Sequence, residues 1–135
     1  MQMTLDLATK IVDASVAHAQ AINISCSIAI VDDNGWLVTI HRMDGALIPT
    51  ADIARDKAWT AAVFKMPSSD VGQFGNPSSP GSGFNVQNWN DRLTTIPGGL
   101  PIESNDEFIG GVGVCGGTPE QDVTVCQAAI AAIHD

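Results

Sequence analysis

The spacing of apolar residues switches along this chain between the period of a helix and the period of a strand. Residues 4–22 place apolar side chains at i, i+3 and i+4, which predicts an amphipathic helix with Thr4 as its N-cap. Two short apolar runs follow, at 26–31 and 36–43, and the Asp-Asp-Asn-Gly sequence between them is typical of a hairpin turn. Because the first run is apolar without interruption, we expect a central strand that is covered on both faces.

The second half of the chain continues this alternation. A helix is predicted over 51–66 with Thr50 as its N-cap, because apolar residues again recur at the helical spacing. Three further strands are predicted, separated by Pro-Gly-Gly and Ser-Asn-Asp turns, over residues 93–96, 100–103 and 108–114.

The last predicted element has the clearest start signal. Thr118 can cap a helix, Pro119 suits its first position, and Gln121 completes a capping box, so a helix is expected to run to about residue 133. The order of elements, α-β-β-α-β-β-β-α, predicts a profilin-like α+β fold. Its sheet would have about five strands, largely antiparallel, and would be flanked by helices.

One long stretch interrupts the pattern of helices and strands. Residues 72–90 are rich in Gly, Pro, Ser and Asn, yet they also contain Phe84 and Trp89. Because disordered linkers seldom carry aromatic residues, an ordered lid or interface loop is favoured over a flexible insertion. With a length of 135 residues, the chain is expected to form a single domain over 1–135.

The composition argues against several classes of function. Fifteen Asp and Glu against six Lys and Arg give a formal net charge of −9, which would repel a nucleic-acid backbone. No apolar run approaches the roughly 20 residues that span a bilayer, and no signal peptide precedes the first helix. We therefore expect a soluble cytoplasmic protein with neither nucleic acid nor membrane as a partner. Three cysteines without C-x-x-C spacing are typical of reduced thiols.

Residues 111–116 read G-x-G-x-x-G, a pattern found in dinucleotide-binding folds. That fold needs another parallel strand and an acidic residue about 20 positions further on, whereas only a helix follows here. Two interpretations of the glycines remain. Either they permit tight packing, or they let a small carboxylate or phosphate approach the helix start formed by Gly116, Gly117, Thr118 and Glu120.

Charged side chains and histidines offer further candidate sites. Asp56 and Lys57 either form exposed pairs on the second helix or turn towards a pocket, where burial would adjust a pKa for proton transfer. His18, His41 and His134 lack the H-x-x-x-H spacing of a zinc site. A single histidine can still serve haem iron, because the porphyrin provides the other four donors.

Five groups of short motifs occur in a fixed order along nearly the whole chain. They are SIAIVD at 27–32 with Gly35, RMDGA at 42–46, DKA at 56–58 with Thr60 and Ala61, PGG at 97–99 with Pro101, and GGVGV at 110–114 with GGTPEQD at 116–122. In these motifs the chain resembles the GlcG/HbpS-like family. The same domain forms the C-terminal part of PduO-type corrinoid adenosyltransferases.

The resemblance implies an antiparallel sheet flanked by helices and assembly into homo-oligomers. It also implies binding of haem or another tetrapyrrole, and an axial histidine on the first helix would make His18 the candidate ligand of the haem iron. In two respects the chain departs from the family pattern. The loop at 72–90 is longer and more aromatic, and no secretion signal precedes the domain as it does in extracellular haem binders.

Three functions are therefore compatible with the sequence. The first is a binding domain that holds haem or a small anionic metabolite near a subunit interface, using His18 and the helix start at 116–120. The second is a cofactor-free lyase, isomerase or hydrolase acting on a small organic acid or aromatic metabolite. Its catalytic residues would be His41, Arg42, Asp56 and Lys57, with Phe84 and Trp89 on a lid. The third is a structural partner subunit.

Overall fold

The fold is known from a computed structural model, which describes residues 1–75 and 89–134. Its elements, in chain order, are α1 Leu5–Ala21, β1 Ser27–Asp32, β2 Leu37–Arg42, α2 Thr50–Phe64, α3 Ser68–Val71 followed by a 3-10 turn at Gly72–Gly75, β3 Gly99–Ser104, β4 Glu107–Cys115 and α4 Pro119–Ala131. Within this part of the chain, no helix is long and apolar enough to cross a membrane.

The four strands form one sheet in the order β2-β1-β4-β3, and every neighbouring pair is antiparallel. The predicted α+β class with an antiparallel sheet is therefore confirmed, and the predicted central position of β1 is also correct. In β1 the first five residues are all buried, as a strand covered on both faces requires. The described residues contain four strands, however, and not about five.

The missing strand is the one predicted over 93–96, which lies in extended loop structure. Two of its backbone groups are bonded to side chains of helices. The N–H of Thr94 donates to Thr60 Oγ1 at 3.0 Å, and the hydroxyl of Ser68 donates to the carbonyl of Ile96 at 2.7 Å. Because these side chains satisfy the buried backbone, the segment needs no strand partner.

Helices cover both faces of the sheet. Alternate residues of β1 serve the two faces: Ile28 and Ile30 join a core with α1 and α4, while Ala29 and Val31 join a smaller core with α2. The second core consists almost entirely of alanine and valine, so α2 lies close to the sheet.

Two glycines of the G-x-G-x-x-G sequence explain this close approach. A Cβ on Gly111 would lie 2.7 Å from the carbonyl oxygen of Ala58, and a Cβ on Gly113 would overlap the carbonyl oxygen of Ala54. Both carbonyls belong to α2, so this helix can rest on β4 only where side chains are absent. Of the two interpretations of these glycines, tight packing is the one that applies to Gly111 and Gly113.

The predicted helix caps are correct at two helices and wrong at the third. Thr4 accepts a hydrogen bond from the N–H of Leu7, and Thr118 and Gln121 form the predicted capping box. Thr50, in contrast, is the first residue of α2 and does not cap it. Its hydroxyl instead donates to the carbonyl of Leu47 at 2.6 Å and lies 2.9 Å from the hydroxyl of Ser27, which ties the helix start to β1.

Candidate functional site

One end of the sheet gathers most of the predicted site residues. Ser27 at the start of β1 pairs with Arg42 at the end of β2 and with Cys115 at the end of β4. We call this the Ser27 end. The connection after α1 also reaches it, because a Cβ on Gly117 would lie 3.0 Å from Ile24 Cδ1. The last turn of α1, the end of β2 and the start of α4 are therefore close together.

His41 and Arg42 line an open groove of about 630 Å³ at the Ser27 end. The groove runs between the last turn of α1 and the residues that follow β2, and both side chains are exposed. Its other lining residues are Val16, Gln20, Asn23, Ile24, Ser25, Met43 and Asp44. A guanidinium can bind a carboxylate and an imidazole can transfer a proton, so a groove lined by both residues could hold a small organic acid.

His18 lies on the other side of α1 from this groove. It is two residues from both Val16 and Gln20, and at about 100° per residue it therefore points roughly 160° away from each of them. The imidazole is partly buried, and in the described residues it takes part in no hydrogen bond or ion pair. Ala14 and Ile22, one turn before and one turn after it, are also partly buried.

The helix start at 116–120 has little free capacity for an anion. The N–H of Gly117 donates to Asp122 Oδ1 at 2.9 Å, that of Thr118 donates to Gln121 Oε1 at 2.9 Å, and that of Gln121 donates to Thr118 Oγ1 at 3.2 Å. A ligand carboxylate would have to displace these side chains. At Gly117, Thr118 and Gln121 the N–H groups of this helix start are therefore already used, by Asp122 and by the capping box.

Gly116 and Gly117 instead line a second cavity, of about 360 Å³, at the Ser27 end. Its walls are mostly apolar and include Leu47, Ile53 and the partly buried Cys115. Gly116 has a φ of +145°, and a Cβ there would lie 2.6 Å from the Cα of Cys26. Glycine is needed at this position because the backbone passes so close to β1.

Lys57 is neither exposed nor directed into a cavity, which corrects both interpretations of it. Its side chain is 1% exposed, and Nζ donates to the carbonyl of Val114 at 2.8 Å and to Asp122 Oδ2 at 3.2 Å. Lys57 belongs to α2 and Asp122 to α4, so this buried ion pair joins the helix layers on opposite faces of the sheet. The sequence reasoning missed Asp122, although its place in the first turn of α4 was visible.

The four predicted catalytic residues do not form one group. His41 and Arg42 line the open groove, whereas Lys57 is enclosed by its ion pair and Asp56 lies one residue further back on α2. Burial raises the pKa of the Asp56 carboxyl, and the neighbouring Arg55 guanidinium partly opposes this increase. An enzymatic site at the groove would therefore depend on His41 and Arg42 without Asp56 or Lys57.

The thiols also give no sign of activation. Burial raises the pKa of the Cys26 thiol to about 12, and it raises the pKa of Cys115 and of Cys126 as well. The thiolate is the reactive form of cysteine, so these groups are poor nucleophiles near neutral pH. Over residues 1–75 and 89–134, no group of three His, Cys, Asp or Glu side chains is arranged to hold a metal ion.

Trp89, one of the two predicted lid residues, lies far from the groove. Its ring stacks on Phe74 with centroids 6.4 Å apart, and Phe74 in turn lies 6.2 Å from Phe64, the last residue of α2. That helix starts beside Ser27 and has 15 residues, so its other end is about 20 Å from the Ser27 end. Trp89 therefore does not cover His41 and Arg42. Phe84, the other lid residue, lies outside the described residues.

Comparison with known proteins decides the family. A family model described as haem degrading protein HbpS-like matches residues 3–131. The chain belongs to the HbpS-like family. The resemblance to GlcG/HbpS-like proteins that the motifs indicated is thus confirmed.

Individual proteins also match this chain over almost their whole length. The chain is 34% identical over 128 residues to an uncharacterised 15.0 kDa protein from the dhaT-dhaS intergenic region of Citrobacter freundii, covering 95% of this chain and 89% of that protein. The crystal structure of ORFY from Klebsiella pneumoniae superposes with a TM-score of 0.91 at 34% identity, over 99% of this chain and 92% of the other. A crystal structure of a PduOC complex with haem superposes with a TM-score of 0.89 at 28% identity, over 98% and 95%.

Proposed function

We propose that this HbpS-like domain binds haem or another tetrapyrrole, with His18 as the axial ligand of the iron. The observation that supports this most strongly is the close superposition on PduOC, a relative whose structure was determined with haem. The chemistry of haem also suits a chain whose described residues include no cluster of metal ligands. The porphyrin supplies four nitrogen donors, so one imidazole is sufficient.

The surroundings of His18 fit a flat, largely apolar ligand. The imidazole is partly buried and makes no hydrogen bond within the described residues, so a ring nitrogen is available to a metal. Ala14 and Ile22 flank it on the same side of α1, where the small Ala14 leaves room for a macrocycle to approach the helix. When bound, haem would supply an iron centre with redox and ligand-binding chemistry, and His18 would hold and orient it.

Assembly into a homo-oligomer is a second part of the proposal. Leu47 is 74% exposed and Ile48 is 79% exposed, and Leu47 borders the apolar cavity at Gly116 and Gly117. Adjacent large apolar side chains at such exposure are typical of protein interfaces. We expect a second copy of the chain to cover Leu47 and Ile48, which would place a subunit interface at the Ser27 end.

Titration of the purified chain with haemin, followed by absorbance, tests the axial ligand. We expect a shifted Soret band that saturates at about one haem per chain, because one imidazole is available to each iron. His18→Ala should abolish the shift, while His134→Ala, which removes an exposed imidazole near the C-terminus, should leave it unchanged.

A third variant, His41→Ala, locates the site if His18 is not the ligand. Loss of the Soret shift in His41→Ala with full retention in His18→Ala would move the haem site to the groove and contradict the role of His18. An unchanged haemin spectrum for the wild-type chain would contradict haem binding altogether.

The groove at His41 and Arg42 supports a second candidate function, that of an enzyme acting on a small organic acid. Its favouring observation is that a histidine and an arginine both line an open groove of about 630 Å³. A panel of small carboxylic acids should then include one that is turned over, with His41→Ala losing the turnover and His18→Ala retaining it. No turnover of any member, or full turnover by His41→Ala, would count against this function.

A further inference from the structure

The structure contains a third, more enclosed cavity that neither proposal uses. Its volume is about 260 Å³, and it lies at the opposite end of β1 from Ser27, under the hairpin between β1 and β2. The residues that line it are Gly35, Trp36, Leu37, Arg55, Trp59 and Arg92. We call it the two-arginine pocket. Two of the chain's six Lys and Arg residues and two of its three tryptophans line this one cavity.

The arginines of this pocket have weak partners. Within the described residues, Arg92 forms no ion pair, and its guanidinium lies over the Trp59 ring at 4.2 Å from the centroid. Within the same residues, Arg55 forms an ion pair with Asp52 at 3.8 Å, and the Asp52 side chain is 80% exposed. An exposed pair at this distance contributes little free energy, so it leaves Arg55 able to bind another anion.

The tryptophans give the pocket flat apolar walls. Trp36 is 68% exposed, and Trp59 is held beneath the hairpin turn by Gly35. Gly35 has a φ of +82°, and a Cβ there would lie 3.0 Å from Trp59 Cδ1 and from Val63 Cγ1. The left-handed turn and the absent side chain therefore let the hairpin close over the Trp59 ring. An indole exposed to this degree beside a cavity favours a planar partner.

We propose that the two-arginine pocket binds a small planar carboxylate, with an aromatic ring between the indoles and its carboxylate on Arg92 and Arg55. The guanidinium group matches a carboxylate in geometry and can donate two parallel hydrogen bonds to it. The volume is below the range of about 300–1,000 Å³ that is usual for drug-sized ligands, which indicates a single aromatic ring.

Two nearby carboxylates interact with these arginines without lining the cavity: Asp52 pairs with Arg55, and the Asp56 carboxylate interacts electrostatically with both Arg55 and Arg92. Asp52 is directed to solvent, and Asp56 does not line the pocket. The chain as a whole carries a formal charge of −9, which repels anions, so two arginines lining one cavity are a local exception that would attract one.

An NMR titration of the 15N-labelled chain with benzoate tests the proposal, because each tryptophan gives one indole Nε1–H signal. We expect the signals of Trp36 and Trp59 to move and saturate, while that of Trp89, which stacks on Phe74, stays in place. Each signal is assigned by a Trp→Phe variant. Benzamide, the neutral analogue of the same shape, should bind about tenfold more weakly because it cannot pair with a guanidinium as an ion.

Variants then separate the arginine contribution from general charge. Arg92→Gln should raise the Kd for benzoate about tenfold, whereas Lys10→Gln, which removes one exposed positive charge on α1, should change it less than about twofold. The proposal is overturned if benzoate causes no saturable movement of the Trp36 and Trp59 signals. It is equally overturned if Arg92→Gln or benzamide leaves the Kd unchanged, or if inorganic phosphate binds as tightly as benzoate. Neither His18 nor haem enters this experiment, so its failure leaves the proposed haem site untouched.

Discussion

At the scale of single residues, the buried pair of Lys57 and Asp122 is the most consequential contact. Both side chains are almost fully enclosed, and the carboxylate accepts a hydrogen bond from the N–H of Gly117 at its other oxygen. The two residues are 65 positions apart and belong to helices on opposite faces of the sheet. No local pattern connects them, which is why the sequence predicted a surface or pocket position for Lys57.

Lys57→Met should lower the free energy of unfolding by about 3–5 kcal/mol, because it leaves Asp122 buried without its partner. Urea unfolding measures this loss, and Lys10→Met, an exposed position on α1, is the control with an expected change below about 0.5 kcal/mol. The double variant Lys57→Met, Asp122→Leu should recover part of the loss. A single-variant loss similar to that of the control would show that the pair does not stabilise the fold.

The raised pKa of Asp56 predicts that the free energy of unfolding depends on pH. Burial raises the pKa of this carboxyl in the folded chain above its ordinary value of 3.8, so the folded state binds the proton more tightly than the unfolded state. The stabilising contribution of the protonated carboxyl is therefore fully present below pH 3.8 and is lost as the pH rises from there through the raised pKa of the folded state. Asp56→Asn should raise the unfolding midpoint at pH 7 and lose this advantage near pH 3. A variant that is less stable than the wild type at pH 7 would contradict the sign of this effect.

At the scale of elements, the seating of α2 on β4 depends on glycine. A Cβ on Gly113 would overlap the carbonyl oxygen of Ala54, so α2 would have to move away from the sheet. From the sequence, tight packing and a ligand site explained the glycines at 111–116 equally well. The sequence could not choose between them, because it does not show that α2 packs on β4.

Gly113→Ala should therefore destabilise the fold by about 1–3 kcal/mol or more through overpacking. Gly72→Ala is a matched control, because its Cβ would meet Thr95 at an ordinary distance of 3.6 Å. Thermal unfolding of both variants compares the two positions. Equal midpoints for Gly113→Ala and Gly72→Ala would contradict the close contact of α2 with β4.

The elements that sequence reasoning found are those with local signals. The Thr4 cap, the box at Thr118 and Gln121, and the uninterrupted apolar run of β1 are all encoded within a few residues, and all are confirmed. The predicted strand at 93–96 is wrong because hydroxyl groups of Thr60 and Ser68, 28 to 34 positions away, take the place of a strand partner. Such long-range contacts leave no periodic trace in the sequence.

At the scale of the whole molecule, the two ends of the sheet carry different cavities and surfaces. The Ser27 end carries the groove at His41 and Arg42, the apolar cavity at Gly116 and the exposed pair Leu47 and Ile48. The other end carries the two-arginine pocket. The motifs along the chain predicted the family, and the candidate residues included most of those at the Ser27 end. The sequence could not show which of these residues share a cavity, because shared cavities depend on how the helices pack on the sheet.

The proposed subunit interface can be tested at this scale. The double variant Leu47→Ser, Ile48→Ser should shift the chain towards a smaller species in size-exclusion chromatography with light scattering, because it removes the apolar contact between copies. Leu5→Ser is the control, since Leu5 is 62% exposed but lies at the other end of α1. An unchanged mass for the double variant, or a monomeric wild-type chain, would contradict an interface at these residues.

A crystal structure of the chain soaked with haemin would test the proposed function most directly. We expect density for a macrocycle beside Ala14 and Ile22, with its iron bonded to the imidazole of His18. Iron bonded to His41 in the groove, or a macrocycle bound with no histidine ligand, would contradict it.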